Sequence, residues 1–150
     1  MENVMRLEFS SKSCNESFAR VAVSAFAAQL NPNIDQIADI KTAVSEAVTN
    51  CIIHGYENKE GVICIVCKIL DRLLEIEISD KGKGIENIQL ARQALYTSKP
   101  ELERSGMGFT IMESFCDDFS VTSEVGKGTE IRLYKVFGGD SLCENTTIPQ

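Results

Sequence analysis

The stretch 45-SEAVTNCIIHGY-56 decides how this chain is read. Val48 and Ile52 continue an apolar pattern that runs through Ile34, Ile37, Ile40 and Val44 at helical spacing. The pattern predicts one long helix from about Asn33 to His54, ended by Gly55. Beside its apolar face, Glu46, Asn50 and His54 stand four residues apart, which sets them in one row on the helix surface. Packing needs no such row. A solvated helix face would produce it, and so would a site; these residues alone leave both readings open.

Working outward, Met5 to Phe9 alternates as a short strand, and Ser13 with Glu16 has the spacing of a capping box. That box opens the apolar helix SFARVAVSAFAAQL, which stops near Pro32. Beyond Gly55, VICIVCKIL and LLEIEISD read as two strands joined by a tight turn at Asp71-Arg72. A short helical stretch is expected from Glu86 to Ala94. The polar segment YTSKPELERSG has no apolar period and is broken by Pro100, so it is expected to be a mobile loop. GMGFTIMESFC reads as a third long helix, and FSVTSEV with TEIRLYKVF as a final hairpin across Gly126-Lys127-Gly128. Residues 1–137 are expected to form one domain, with 138–150 a disordered tail lacking any apolar pattern. The element order predicts an α+β fold: a two-layer α/β sandwich with helices on one face of a mixed, mostly antiparallel sheet.

A chain of 150 residues can build a substantial core, and 43% hydrophobic with 25% charged residues is ordinary for a soluble globular protein. The formal charge of −7 argues against direct nucleic-acid or anionic-membrane binding, since both call for a basic face. No apolar run approaches the ~20 residues of a membrane span. The start MENVMRLEFSS lacks the apolar core of a signal peptide, so a cytoplasmic protein is expected. Cys51, Cys64, Cys67 and Cys116 sit within apolar patterns, as small buried hydrophobes do. CIVC at 64–67 lies in a strand, where positions three apart face opposite ways, and His54 is the sole histidine; a zinc site is not expected.

Three polar islands remain. Asp80 closes a buried-looking strand and is followed by Gly82 and Gly84; a turn would use such glycines, but a strand-end carboxylate is also a good acceptor for an exocyclic amine. Arg104-Ser105-Gly106-Met107-Gly108 opens a helix, where exposed amides and the helix dipole can seat a phosphate; an ordinary flexible loop would look the same, and the P-loop pattern is absent. On the opening stripe, Asn50 can offer an oxygen to magnesium, and Glu46 one turn earlier can take a proton from an attacking oxygen. His54 reads better as a cap or packing residue.

Together the islands make a nucleotide site, and their order ExxxN, DxGxG, GxG resembles the boxes of the GHKL superfamily of ATPases and kinases. LEFSSKSCNESFARVAVSAFAAQLNP, IKTAVSEAVTNCIIHGY, ISDKGKGI and ERSGMGFTIMESFCD further resemble the anti-sigma-F factors of spore-forming bacteria, which are serine protein kinases with a Bergerat-type fold. The likeness runs from about Met5 to Phe137. It implies Glu46 as general base and Asn50 as the magnesium ligand. It implies that Asp80 reads the adenine amine with help from Thr129, and that Gly82, Gly84, Arg104, Ser105, Gly106, Met107 and Gly108 frame ATP or ADP. It implies a homodimer that binds a sporulation sigma factor and phosphorylates a serine of an anti-anti-sigma protein, with Arg20 on a candidate docking helix.

Glu46 bears on the acceptor without the family name. Transfer to a neutral imidazole needs little help, whereas a hydroxyl benefits from a base that orients it and accepts its proton. A base in the site therefore favours serine, threonine or water over histidine. Two other readings stand beside this one: a kinase of the same fold serving a general stress sigma factor, and a binding module that keeps ATP as a structural ligand. The opening helix and CIIHGY favour the sporulation form, and Glu46 argues against the pure binding module.

Overall fold

The computed structural model describes residues 2–92 and 108–138. The chain runs β1 (Glu2–Ser10), α1 (Cys14–Ala27), a 3-10 turn (Ala28–Leu30), α2 (Ile34–Asn50) and a π-helical turn (Cys51–Gly55). It continues through β2 (Val62–Leu70), β3 (Leu73–Asp80), α3 (Ile88–Ala91), α4 (Gly108–Phe115), β4 (Asp118–Glu124) and β5 (Gly128–Val136). The five strands form one sheet in the order β1-β2-β3-β5-β4.

Every pairing among these strands is antiparallel, so the two-layer fold is as expected but the sheet is not mixed. Tight turns set two of these four pairings. Asp71 takes the left-handed conformation (φ 54) between β2 and β3, and Gly126 (φ 82) reverses the chain between β4 and β5. The segment between β3 and β4 carries the chain to the far edge, and β5 returns beside β3.

Strand alternation drives one face of the sheet into the core. Ile63, Ile65, Cys67 and Ile69 of β2 are buried, as are Leu74, Ile76 and Ile78 of β3 and Ile131 and Leu133 of β5. Ala19, Val23 and Ala27 of α1, Ile40, Val44 and Val48 of α2, and Phe109 and Met112 of α4 belong to the same core cluster. The small alanines Ala43 and Ala47 of α2 join it, fully buried. The opposite face carries charges, with Arg132 within 4.0 Å of Glu75, Glu77 and Glu130.

The caps differ from expectation. Ser13 is already in the helical region (φ −58, ψ −30) and makes no side-chain cap bond, because its hydroxyl cannot turn back to the amides from there. Asn15 instead donates to the Ser10 carbonyl at 2.8 Å. The capping box sits on α2: Asn33 Oδ1 accepts from the Gln36 amide at 2.8 Å and Gln36 Oε1 accepts from the Asn33 amide at 2.9 Å. Ile34 follows this cap as the first helical residue and is 88% exposed, so the core phase of α2 begins after it. α3 spans Ile88–Ala91, shorter than expected, with the Asn87 side chain accepting from the Leu90 amide. α4 covers eight residues, Gly108–Phe115, and its expected first residues lie outside the described ones. The segment 96–106, expected to be a mobile loop, and residues 139–150 of the expected tail also lie outside them. No helix among the described residues is long and apolar enough to cross a membrane.

Candidate nucleotide site

Asp80 occupies the inward phase of β3, the position after Leu74, Ile76 and Ile78 in the same row. Strand geometry therefore carries a carboxylate into the core, and the residue is 5% exposed. Oδ1 accepts from the Gly82 amide at 2.9 Å. Oδ2 is buried without a hydrogen-bond partner among the described residues. Burial pushes the Asp80 carboxyl above its ordinary range, opposed by the Gly82 amide, the Cys51 thiol and the Thr129 amide. A buried acceptor left unpaired costs roughly 1–3 kcal/mol, so the atom is set for a donor from outside the chain.

Backbone packing fixes the ground around it. A Cβ at Gly55 would lie 2.8 Å from the Asp80 Cγ, so only hydrogen fits between this turn and the carboxylate. A Cβ at Gly82 would fall 2.0 Å from the Gly55 carbonyl oxygen. Gly84 holds a positive φ of 78°, with the Glu124 carbonyl oxygen 2.3 Å from where its Cβ would be. The two glycines of DKGKGI thus let the loop lie on other backbone. The Lys83 amide donates to the Gly55 carbonyl at 3.0 Å, and the Lys81 amide to the Tyr56 hydroxyl at 2.7 Å. That hydroxyl in turn donates to the Val62 carbonyl at 2.6 Å.

Thr129 faces Asp80 in the β3–β5 register and is 5% exposed. Its Oγ1 lies 2.9 Å from Ser123 Oγ, which accepts from the Ile85 amide at 2.7 Å. The end of the glycine loop is thereby tied to the strand that carries Thr129.

Glu46 and Asn50 both lie half-buried on the last turns of α2. His54 is half-buried too, but on the π-helical turn, where the Tyr56 amide reaches back to the Cys51 carbonyl at 2.9 Å. A π turn adds a residue per turn, so the row of four-residue steps holds for Glu46 and Asn50 and loses His54. Gly108 opens α4, half-buried, and Phe109 anchors that helix against Phe119 with ring centroids 5.9 Å apart. Arg104, Ser105, Gly106 and Met107 lie outside the described residues. Arg20 is on α1, with Nη1 3.5 Å from Glu16 and Nη2 donating to Ser17 Oγ at 3.0 Å.

The family model described as "Histidine kinase-like ATPase domain" matches residues 10–135, a span that holds Asp80, Thr129 and the α2 stripe. The anti-sigma F factor of Clostridium kluyveri is 62% identical over 136 residues, covering 91% of this chain and 96% of the relative. The anti-sigma F factor of Clostridium botulinum strain Eklund 17B is 65% identical over 137 residues, with the same 91% and 96% coverage. That of Thermoanaerobacter sp. is 60% identical over 138 residues, covering 92% and 96%. The chain belongs to the anti-sigma F factors. Within that family it carries a histidine kinase-like ATPase domain, and with it a site that binds nucleotide.

Four parts of this anti-sigma F site escaped the sequence reading: Cys51 and Gly55 against the Asp80 carboxylate, the Tyr56 staple, and Ser123 behind Thr129. Gly55 looked like a helix terminator, yet its φ is not positive and its role is clearance for Asp80. CIIHGY held a usable signal in that a glycine followed directly by an aromatic ended a helix without a break. Ser123 had none, since a serine in an edge strand reads as solvated.

Proposed function

We propose that this chain is an ATP-dependent protein serine kinase that also binds and inhibits a sporulation sigma factor. The observation that carries the nucleotide half is the buried, unpartnered Oδ2 of Asp80, an anionic acceptor placed for the exocyclic amine of adenine. Thr129 and the loop through Gly82 and Gly84 hold its surroundings, and Gly106, Met107 and Gly108, with Arg104 and Ser105, receive the phosphates. Asn50 would hold magnesium through its side-chain oxygen, and the ion would supply charge neutralisation to the transferring phosphoryl group.

Glu46, one turn before Asn50, orients the attacking serine hydroxyl and takes its proton. The printed name of the relatives, anti-sigma F factor, supports a sigma factor as one partner. The serine acceptor is then an anti-anti-sigma protein, held in complex when ADP occupies the site, and the protein acts as a homodimer in the cytoplasm. Arg20 lies on the helix that meets these partners, and residues 1–137 are the working domain. The test is transfer from labelled ATP to a purified anti-anti-sigma protein, with and without magnesium. Label on serine supports the proposal. ATP binding and partner capture without transfer would make the chain a binding module instead.

A further inference from the structure

Tyr56 closes the π-helical turn, and its hydroxyl joins two segments outside that turn. The Lys81 amide donates to it at 2.7 Å, and it donates to the Val62 carbonyl at 2.6 Å. The residue is held from several sides. Its own amide donates to the Cys51 carbonyl, and its carbonyl accepts from the Lys59 amide, both at 2.9 Å. A Cβ at Gly61 would lie 2.5 Å from the ring, so only hydrogen fits there. Between them, Glu57 and Asn58 take the left-handed conformation (φ 54 and 60), uncommon for residues other than glycine, and so turn the chain back past the ring.

Gly55, Tyr56 and Glu57 are consecutive, and each meets the glycine loop that follows β3. The Gly55 carbonyl accepts from the Lys83 amide at 3.0 Å, the Tyr56 hydroxyl accepts from Lys81, and Glu57 stands 4.0 Å from the Lys83 ammonium. The first of these contacts uses backbone alone, and the last is an exposed ion pair of little weight. Among the described residues, the Tyr56 hydroxyl is the side-chain group that holds the Lys81 amide. Lys81 stands between Asp80 and Gly82, whose amide donates to Asp80 Oδ1. We infer that Tyr56 is a positioning residue for nucleotide binding: its hydroxyl fixes the Lys81 peptide, and with it the Asp80–Gly82 turn, against the end of α2. This rests on the reading of Asp80 and its glycine loop as the adenine side of the site. A loop held in place beforehand costs less to order on binding than one that must be caught. Loss of the hydroxyl should therefore weaken ligands that carry adenosine by a common factor, whatever their phosphates, and leave transfer from bound ATP unchanged.

The experiment uses Tyr56→Phe, which keeps the ring beside Gly61 and removes both bonds of the hydroxyl. Affinities for ADP and ATP are read by calorimetry on the full chain, and KM and kcat by transfer from ATP to the anti-anti-sigma protein. Both affinities should fall by roughly three- to tenfold, the scale of one neutral hydrogen bond, with a matching rise in KM and no change in kcat. Combined with Asp80→Asn, the loss should be smaller than the product of the two separate losses, since both act on one turn. Unchanged affinity in a folded Tyr56→Phe protein overturns the inference. A fall in kcat at unchanged KM does so as well, and so do losses that multiply in full with those of Asp80→Asn. Should Tyr56→Phe fail to fold, amide hydrogen exchange on the wild type serves in its place. The Lys81 amide should be protected in the nucleotide-free protein and protected further by ADP, and exchange that ADP leaves unchanged overturns the inference. Failure of the underlying reading looks different: Asp80→Asn alone would then bind ATP as tightly as the wild type.

Discussion

Asp80→Asn should separate stability from binding. In the wild type Oδ1 holds the Gly82 amide at 2.9 Å and Oδ2 waits in the core without a partner. Asparagine has one oxygen where aspartate has two. If that oxygen keeps Gly82, the new amide faces the adenine amine, donor against donor; turned round, it faces the Gly82 amide in the same way. Either way one charge-assisted bond is lost, about 1.5–3 kcal/mol, which weakens ATP by between about tenfold and a hundredfold or somewhat more. The empty protein should behave differently. Burial raises the Asp80 pKa above its unfolded value, so between the two values the native state holds more protons than the unfolded chain. Its contribution to stability is greatest below the unfolded value and is lost as pH rises through the folded one. The asparagine variant carries no such loss, so at neutral pH the nucleotide-free variant should melt no lower than the wild type, and the difference should shrink in acid. Calorimetric titration with ATP and melting curves across pH read the two effects separately. Unchanged ATP affinity, or a nucleotide-free variant that melts well below the wild type at neutral pH, would refute the reasoning.

Glu46→Gln should keep ATP affinity while single-turnover transfer to the partner protein falls by roughly 10²–10⁴-fold, the usual contribution of a positioned base. Transfer at the wild-type rate would leave Glu46 a surface glutamate. Asn50→Ala should remove the magnesium-dependent part of ATP affinity, read by titrating with and without the ion. Gly55→Ala places a methyl 2.8 Å from the Asp80 Cγ, so ATP binding should drop at least about tenfold while circular dichroism still shows the fold. Arg20→Glu sets like charges beside Glu16, costing about 0.5 kcal/mol or less, and should impair partner capture without moving ATP affinity; co-elution with both partners at the wild-type level would take Arg20 out of the interface.

Much of this fold was legible because its elements obey local periods. The strands around Ile63–Ile69 and Leu74–Ile78 alternate, and α2 repeats its apolar residues every turn, so burial followed the pattern closely. What misled was the ends of elements. Ser13 and Glu16 had the spacing of a cap, but a cap also needs the first residue outside the helical region, and the path out of β1 denies Ser13 that freedom. Ile34 was in phase with the core and stands in solvent, since the phase of a helix does not say where along its axis the core begins. The π-helical turn left no mark in the pattern, because one inserted residue near a helix end disturbs no full period.

The site was legible for a different reason: its central residue breaks the composition of a pattern without breaking the phase. Asp80 is where the inward row of β3 should hold another isoleucine, and strand geometry buries whatever stands there. Such a position is destabilising unless something compensates for it, and the compensation is spread over groups that the sequence cannot bring together. Two are backbone amides, from Gly82 and Thr129, which any residues could have supplied; one is the Cys51 thiol, which reads as an ordinary small hydrophobe. The Gly82 amide bonds Oδ1, while Oδ2 is left without a hydrogen-bond partner among the described residues. A residue chosen for packing alone would not stop there, since an apolar side chain at 80 would remove the cost altogether. The partial compensation leaves a cost in the empty protein, and under the function proposed above a ring amine would relieve it on binding.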